Sequence, residues 1–206
     1  MDISTLKLLE NNMTIPEFTP WPKIPRLNRE CVITEKLDGT NASILITPGG
    51  QIIPGSRTRW ITPQNDNYGF ATWVEQNKAA LLELGEGHHF GEWWGAGIQR
   101  RYDLPTKRFS LFNTHRWNDL TPPPNCCSVV PVLYKGIFHS DRVVECLEHL
   151  RIHGSMAAPF FMQPEGIVVY HTAAKQCFKV TLEKDNEPKV HNEYFKSKAA
   201  RPAPSK

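Results

Sequence analysis

No Cys-x-x-Cys pair occurs in this chain, and its five cysteines (Cys31, Cys126, Cys127, Cys146, Cys177) are an odd number. This speaks against a zinc site and a disulfide framework and predicts reduced thiols in a cytoplasm-like compartment. No apolar run approaches the length that crosses a bilayer, and Met1-Asp2-Ile3-Ser4 does not open like a signal peptide. The expectation is a soluble, intracellular, cytoplasmic protein with no membrane partner. No internal repeat is visible, which argues against a solenoid. Charge of one sign is also scarce: 24 Lys and Arg against 21 Asp and Glu leave +3. Bulk charge therefore does not mark a nucleic-acid binder. Of the eight histidines, His88 and His89 are adjacent, but neighbours on a strand point to opposite faces and chelate poorly.

What is present is ordinary in bulk. The chain has 206 residues, 40% hydrophobic and 22% charged, enough for one substantial domain or two small ones with a real core. Residues 1–29 hold four prolines (Pro16, Pro20, Pro22, Pro25) between isolated apolar residues, predicting an extended lead-in that wraps the domain after a short helix over 4–10. Phe18 and Trp21 are expected to be packed. Cys31-Val32-Ile33 and Ser43-Ile44-Leu45-Ile46 are apolar, β-branched runs on either side of Thr34-Glu35-Lys36-Leu37-Asp38-Gly39-Thr40-Asn41. The local pattern predicts two strands joined by a turn, a first hairpin, with Lys36 at a strand end. Gly39 beside it would let backbone approach a ligand closely.

Gln51-Ile52-Ile53 predicts a short strand, and alternation through Gly55-Ser56-Arg57-Thr58-Arg59 would put Arg57 and Arg59 on one face, able to meet phosphate oxygens. Tyr68 to Leu84 has helical spacing, with Phe70, Trp73, Val74, Leu81 and Leu84 on one apolar face and Gly85 as its stop. Glu92 stands among glycines and tryptophans in His89-Phe90-Gly91-Glu92-Trp93-Trp94-Gly95, where an unpartnered buried carboxylate is costly. A ribose hydroxyl is an apt partner. Lys107 to Asn113 alternates as a strand ending near Phe112, and Cys127 to Tyr134 predicts another. Asp141 to His153 predicts a helix capped by Ser140 or Asp141, with Val143, Val144, Leu147 and Leu150 on its apolar face and Gly154 at its end. Pro164-Glu165-Gly166-Ile167-Val168-Val169-Tyr170 is an acid and glycine heading a buried strand. The last 21 residues, from Asn186, carry five cations against two acids, the size of the whole formal excess. This tail is a solvated terminus or a contact to phosphates.

Lys36-Leu37-Asp38-Gly39 resembles the lysine-nucleophile motif of the covalent nucleotidyltransferases, the superfamily of DNA ligases, RNA ligases and mRNA capping enzymes. Thr40-Asn41 and Gly97-Ile98-Gln99 are most similar to ATP-dependent RNA ligases of the phage and RNA-editing branch. Arg57 matches a nucleotide-contacting arginine about twenty residues beyond the lysine. Gly91-Glu92-Trp93-Trp94-Gly95 resembles the third motif, Lys107 to Asn113 the next, with Asn113 where Asp is usual, and Glu165-Gly166-Ile167-Val168-Val169 the fourth. Gln176 to Thr181 resembles the fifth, whose usual form is two lysines one residue apart. Either Lys179 is the first and Thr181 stands for the second, or Lys179 is the second and Cys177 stands for the first.

The resemblance spans Lys36 to Lys179 and implies an α+β fold, a nucleotidyltransferase (adenylation) domain of the ATP-grasp-like DNA ligase and capping type, with two antiparallel sheets and flanking helices. It implies an adenylyltransferase domain over residues 1–190, a basic tail over 191–206 and no OB-fold domain. The implied activity is ATP-dependent sealing of 3′-hydroxyl and 5′-phosphate ends through a lysyl-AMP intermediate. The substrate is RNA, an RNA/DNA hybrid or a nicked duplex, and the enzyme a monomer. Implied catalytic residues are Lys36, Asp38, Asn41 and Lys179. Implied nucleotide contacts are Glu35, Lys36, Gly39, Arg57, Glu92, Phe112 (stacked on adenine), Glu165 and Lys179, with Glu165 also ligating Mg²⁺ or Mn²⁺. Physically, a primary amine attacks phosphorus only when neutral, and moving a lysine from about 10.4 to about 7 takes roughly 5 kcal/mol. The alternatives are a minimal ATP-dependent DNA ligase and a catalytically idle nucleotide- or nucleic-acid-binding module.

Overall fold

A computed structural model describes residues 16–183. The helix expected over 4–10 and the tail over 191–206 lie outside the described residues. The order of elements is β1 (Glu30–Lys36), β2 (Thr40–Ile46), β3 (Ile52–Ser56), α1 (Phe70–Gln76), α2 (Lys78–Leu81), a 3₁₀ turn (Leu82–Leu84), β4 (Gly87–Gly95), β5 (Lys107–Leu111), β6 (Cys127–Val129), β7 (Val132–Ile137), α3 (Ser140–His153), β8 (Gly166–His171) and β9 (Gln176–Thr181). The strands form two sheets. Sheet A has the order β7-β1-β8-β9 and sheet B the order β3-β2-β4-β5-β6. No helix among the described residues is long and apolar enough to cross a membrane.

The first hairpin does not form. β1 pairs with β7 and β8, and β2 pairs with β3 and β4, so Leu37-Asp38-Gly39 is a crossover between sheets. A strand-turn-strand pattern is the same locally whether the second strand folds back or leaves. The packing decides: Leu37 is buried with Trp94, Tyr102, Val130, Ala158 and Phe161 in a small core at the junction. The strand expected over 127–134 is likewise two strands, β6 in sheet B and β7 in sheet A. Pro131 between them has no N–H to donate, and its carbonyl accepts from Glu35 N at 2.9 Å.

Sheet A is antiparallel throughout, but sheet B is mixed, because β5 and β6 run parallel. The connection from Phe112 to Cys126 is long enough for such a crossover. Each sheet buries its outer face under helices. Cys31, Ile33, Ile167 and Val169 of sheet A pack with Cys146 and Leu150 of α3. Ala42, Ile44, Trp93, Phe109 and Leu111 of sheet B pack with Phe70, Val74, Leu81 and Leu84. Strand alternation therefore turns the other face of each sheet inward to a shared groove.

Three further expectations are corrected. The helix over 68–84 breaks at Asn77 (φ −108°, ψ 13°), whose side chain donates to Trp73 O at 2.8 Å. Gly85 (φ 74°) does end the segment. The N-cap of α3 is His139, with no side-chain cap bond, rather than Ser140 or Asp141, and Val144 is exposed. Phe18 and Trp21 are not packed: each is 85% exposed, and near β1 the chain is tied down where Leu27 O meets His171 Nε2 at 2.6 Å.

Candidate active site

The crossover places Lys36 on the groove face at the end of β1. Its Nζ lies 2.5 Å from Glu165 Oε2, just before β8. Three residues on, Gly39 N donates to Glu92 Oε1 of β4 at 3.0 Å, and Asn41 Nδ2 donates to Glu92 Oε2 at 3.2 Å. Gly39 has to be glycine for packing reasons, since an added Cβ would come 2.4 Å from Trp93 O. The turn is also held from below. Asp38 N donates to the Tyr102 hydroxyl oxygen at 2.7 Å, and Arg100 Nε donates to Asp38 Oδ2 at 3.0 Å. Arg100 reaches on to Gln163 O at 3.1 Å and Glu183 at 3.6 Å. One guanidinium thus ties the lysine turn to the segment before Glu165 and the segment after β9.

Glu92 is 8% exposed. Burial pushes its carboxyl up to about 7, against the Gly39 hydrogen bond and the nearby Lys36 charge, while Glu165 and Asp38 push the same way as burial. Glu35 is buried from the other side of β1. Its oxygens accept from Ser155 Oγ at 2.6 Å, Met156 N at 2.8 Å and Ala157 N at 3.0 Å. The Glu35 carboxylate is spent inside the protein.

Lys179 lies on β9, paired in register with Val168, and β-alternation puts Cys177 and Thr181 on its face. Thr181 pairs with Gly166, which pairs with Lys36, so Thr181 is in the nucleophile's row and Cys177 is two rows beyond Lys179 from it. Phe112 follows β5, 42% exposed, and its N donates to Phe90 O at 3.0 Å. Asn113 is exposed and accepts from Arg116 N at 3.1 Å. Arg57 and Arg59 are not on a strand. β3 ends at Ser56, and the chain turns so that Ser56 N donates to Arg59 O at 2.8 Å. Both arginines are exposed in that turn.

Direct contacts therefore join Lys36 to Glu165, and Gly39 and Asn41 to Glu92, while Arg57, Phe112 and Lys179 have no such link to them among the described contacts. Arg100, Tyr102 and the 155–157 loop were not anticipated. Gln99, Arg101, Tyr102 and Asp103 all have positive φ (42–60°), a left-handed run. Such a run is unusual for non-glycine residues and costs free energy at each one. The burial of Ile98 and Tyr102, at 0% and 1% exposure, holds it in place.

The family description RNA ligase matches residues 29–181. The chain belongs to the RNA ligase family. Three solved structures share the fold of this RNA ligase family member. A Naegleria gruberi RNA ligase mutant solved with ATP and Mn is 17% identical (TM-score 0.54), over 82% of this chain and 58% of that one. An apo mutant of the Naegleria gruberi enzyme is 19% identical (TM-score 0.52), over 85% and 53%. An archaeal ATP-dependent RNA ligase is 15% identical (TM-score 0.53), over 78% and 48%. The chain thus spans about half the length of the solved structures it matches. No curated protein matches it.

Proposed function

We propose that this chain is an ATP-dependent RNA ligase that seals 3′-hydroxyl and 5′-phosphate ends through an adenylate carried on Lys36. The observation that supports the reading best is the crossover itself. One short turn sets an amine 2.5 Å from Glu165 and, three residues later, a backbone N–H on the buried Glu92. Membership of the RNA ligase family over residues 29–181 supports it independently.

In the proposed first step the lone pair of Lys36 Nζ forms a bond to the α-phosphorus of ATP. The bond to the bridging oxygen breaks, and pyrophosphate leaves. An ammonium cannot attack, so the contact with Glu165 has to part and the amine has to lose its proton. AMP then passes to a 5′-phosphate, freeing Lys36, and a 3′-hydroxyl displaces AMP to form the phosphodiester. Glu92 accepts from a ribose hydroxyl, Phe112 stacks on the base, and Arg57 and Lys179 neutralise phosphates. Asn41 and Arg100 steady Glu92 and Asp38. Glu35 supports the groove wall, its own carboxylate being occupied.

Among the described residues no cluster of three or more His, Cys, Asp or Glu side chains is arranged to hold a metal ion. Glu165 still fits Mg²⁺ or Mn²⁺, because Mg²⁺ commonly takes one or two protein carboxylates and completes its shell with phosphate oxygens and water. Its carboxylate already faces a cation, the Lys36 ammonium. A cation held there supplies neutralising charge at the phosphates. The further details of the reading are an adenylation domain of the DNA ligase and capping type acting as a cytoplasmic monomer.

Incubation with α-³²P-ATP and Mg²⁺ should place an acid-stable label on the protein, and Lys36→Ala should abolish it. An equal label on the variant, or none on the wild type, defeats the proposal. Nicked duplexes with RNA or DNA on each side of the break then separate RNA from DNA ligase.

A further inference from the structure

Sheet B carries aromatic rings on its groove face that the adenylation chemistry leaves unused. His88 and Phe90 alternate along β4 with His89 and Gly91 on the helix-covered face, so they share the groove face with Glu92. The His88 and Phe90 ring centroids are 4.0 Å apart, and Trp60 lies 5.5 Å beyond His88. Trp60 reaches that face from the turn after β3 by lying over Gly55, where an added Cβ would sit 3.0 Å from its ring. Gly55 pairs with Ser43, and Ser43 pairs with Phe90, which fixes the row in register. Trp60 and Phe90 are 51% and 54% exposed. Three contacting rings half open to solvent form a patch rather than scattered exposure, and such patches mark binding surfaces.

We propose that the row Phe90–His88–Trp60 is a stacking platform for unpaired bases of a single-stranded RNA end delivered to Lys36. The inference rests on the ligase reading, and it adds which surface holds the strand and in what form. Three features select this occupant. Every base offers a π-face that stacks on aromatic side chains without sequence preference. The row is continuous with the site, Phe90 being two residues from Glu92 on one strand face. Arg57 and Arg59 are exposed in the turn that presents Trp60, placing positive charge beside the rings where a sugar-phosphate backbone would run. In a continuous duplex the base faces are covered by their own neighbours, so the platform favours a free strand.

The test uses the full chain and fluorescence anisotropy with a 5′-phosphorylated oligoadenylate of about twelve nucleotides, in parallel with a blunt RNA duplex of equal length. The single strand should bind more tightly than the duplex. Trp60→Ala should weaken single-strand binding about tenfold, in line with the loss of one stacked base, with Trp60→Phe retaining most of the affinity. His88→Ala, at an exposed ring outside the core, should weaken the single strand in the same direction and guards against a folding defect in Trp60→Ala. Wild-type affinity in both alanine variants overturns the platform, and so do equal losses on strand and duplex. Label transfer from ATP to the wild-type protein is scored separately. Its failure defeats the ligase reading, whereas normal label with ring-independent binding defeats only the platform.

Discussion

Among the described residues two carboxylates are buried, one in each sheet, and they are used in opposite ways. Glu35 on β1 is 1% exposed and Glu92 on β4 is 8% exposed. Burial raises both above the ordinary carboxyl value. Glu35 offsets part of the cost through a hydroxyl and two backbone N–H groups from one loop, 120 to 122 residues away in sequence. Glu92 has only the Gly39 N–H and a longer bond from Asn41, and it shares the groove with Lys36, Asp38 and Glu165. A carboxylate with its acceptor capacity filled fastens a fold. One with capacity left, at a place where charges gather, is available to a ligand.

The largest test of this contrast is Gly39→Ala. The new Cβ would meet Trp93 O at 2.4 Å and Trp94 Cβ at 2.7 Å. Backbone cannot give way as a flexible side chain can, so the cost should exceed the roughly 3 kcal/mol typical of overpacking. Label transfer should fall with it, because the displaced amide is the better donor to Glu92. Thermal melting and label transfer measure the two effects. Unchanged melting would show that the crossover is looser than its contacts imply.

The next effect concerns pH. Glu92 titrates near 7 in the folded protein, against an ordinary 4.5. The folded state therefore holds a proton that the unfolded chain has released between those values. The stabilising contribution of this one group is greatest below about 4.5 and declines as pH rises to about 7, by about 3 kcal/mol in all. Nucleotide affinity should move the other way, since a ribose hydroxyl donates best to the ionised form. Glu92→Gln should flatten the melting profile over this window and lose the rise in ATP binding. Parallel trends in the wild type, both falling or both rising, would contradict the role assigned to Glu92.

Much of this is legible in the sequence alone, and what is hidden there has identifiable causes. The period-two runs around Lys36 and Glu92 located their strands, and the order of motifs indicated the family. The crossover was hidden because hairpin and crossover share one local pattern. Only Leu37, buried where a turn residue would be solvated, separates them. Pro131 was a visible sign that residues 127–137 would divide between sheets. The clamp made by Arg100 and Tyr102 had no such sign, since Gln99, Arg101, Tyr102 and Asp103 are not glycines and enter left-handed backbone only because tertiary packing holds them. Phe18 and Trp21 mislead for the opposite reason: large apolar side chains are usually buried, and these two stand 85% exposed on the described, proline-rich part of the lead-in.

The smallest effect is expected at the Glu35 end. Ser155 is 4% exposed; its hydroxyl donates to Glu35 Oε1 and its oxygen accepts from Ala158 N at 3.0 Å. Ser155→Ala removes both bonds and leaves Glu35 with the Met156 and Ala157 amides. A lost bond to a buried ionised group costs about 2 kcal/mol. The loss should be greater at pH 8 than at pH 5, because the missing hydroxyl stabilised the charged carboxylate and burial already favours the neutral one. Label transfer per folded molecule should not change, since Ser155 acts behind β1, on the face away from Lys36. Chemical denaturation at the two pH values measures the first effect, and labelling well below the melting midpoint measures the second. A fall in labelling beyond the unfolded fraction would mean that the back of sheet A also sets the groove, and that the two buried acids do not divide structure from ligand binding as cleanly as their hydrogen bonds indicate.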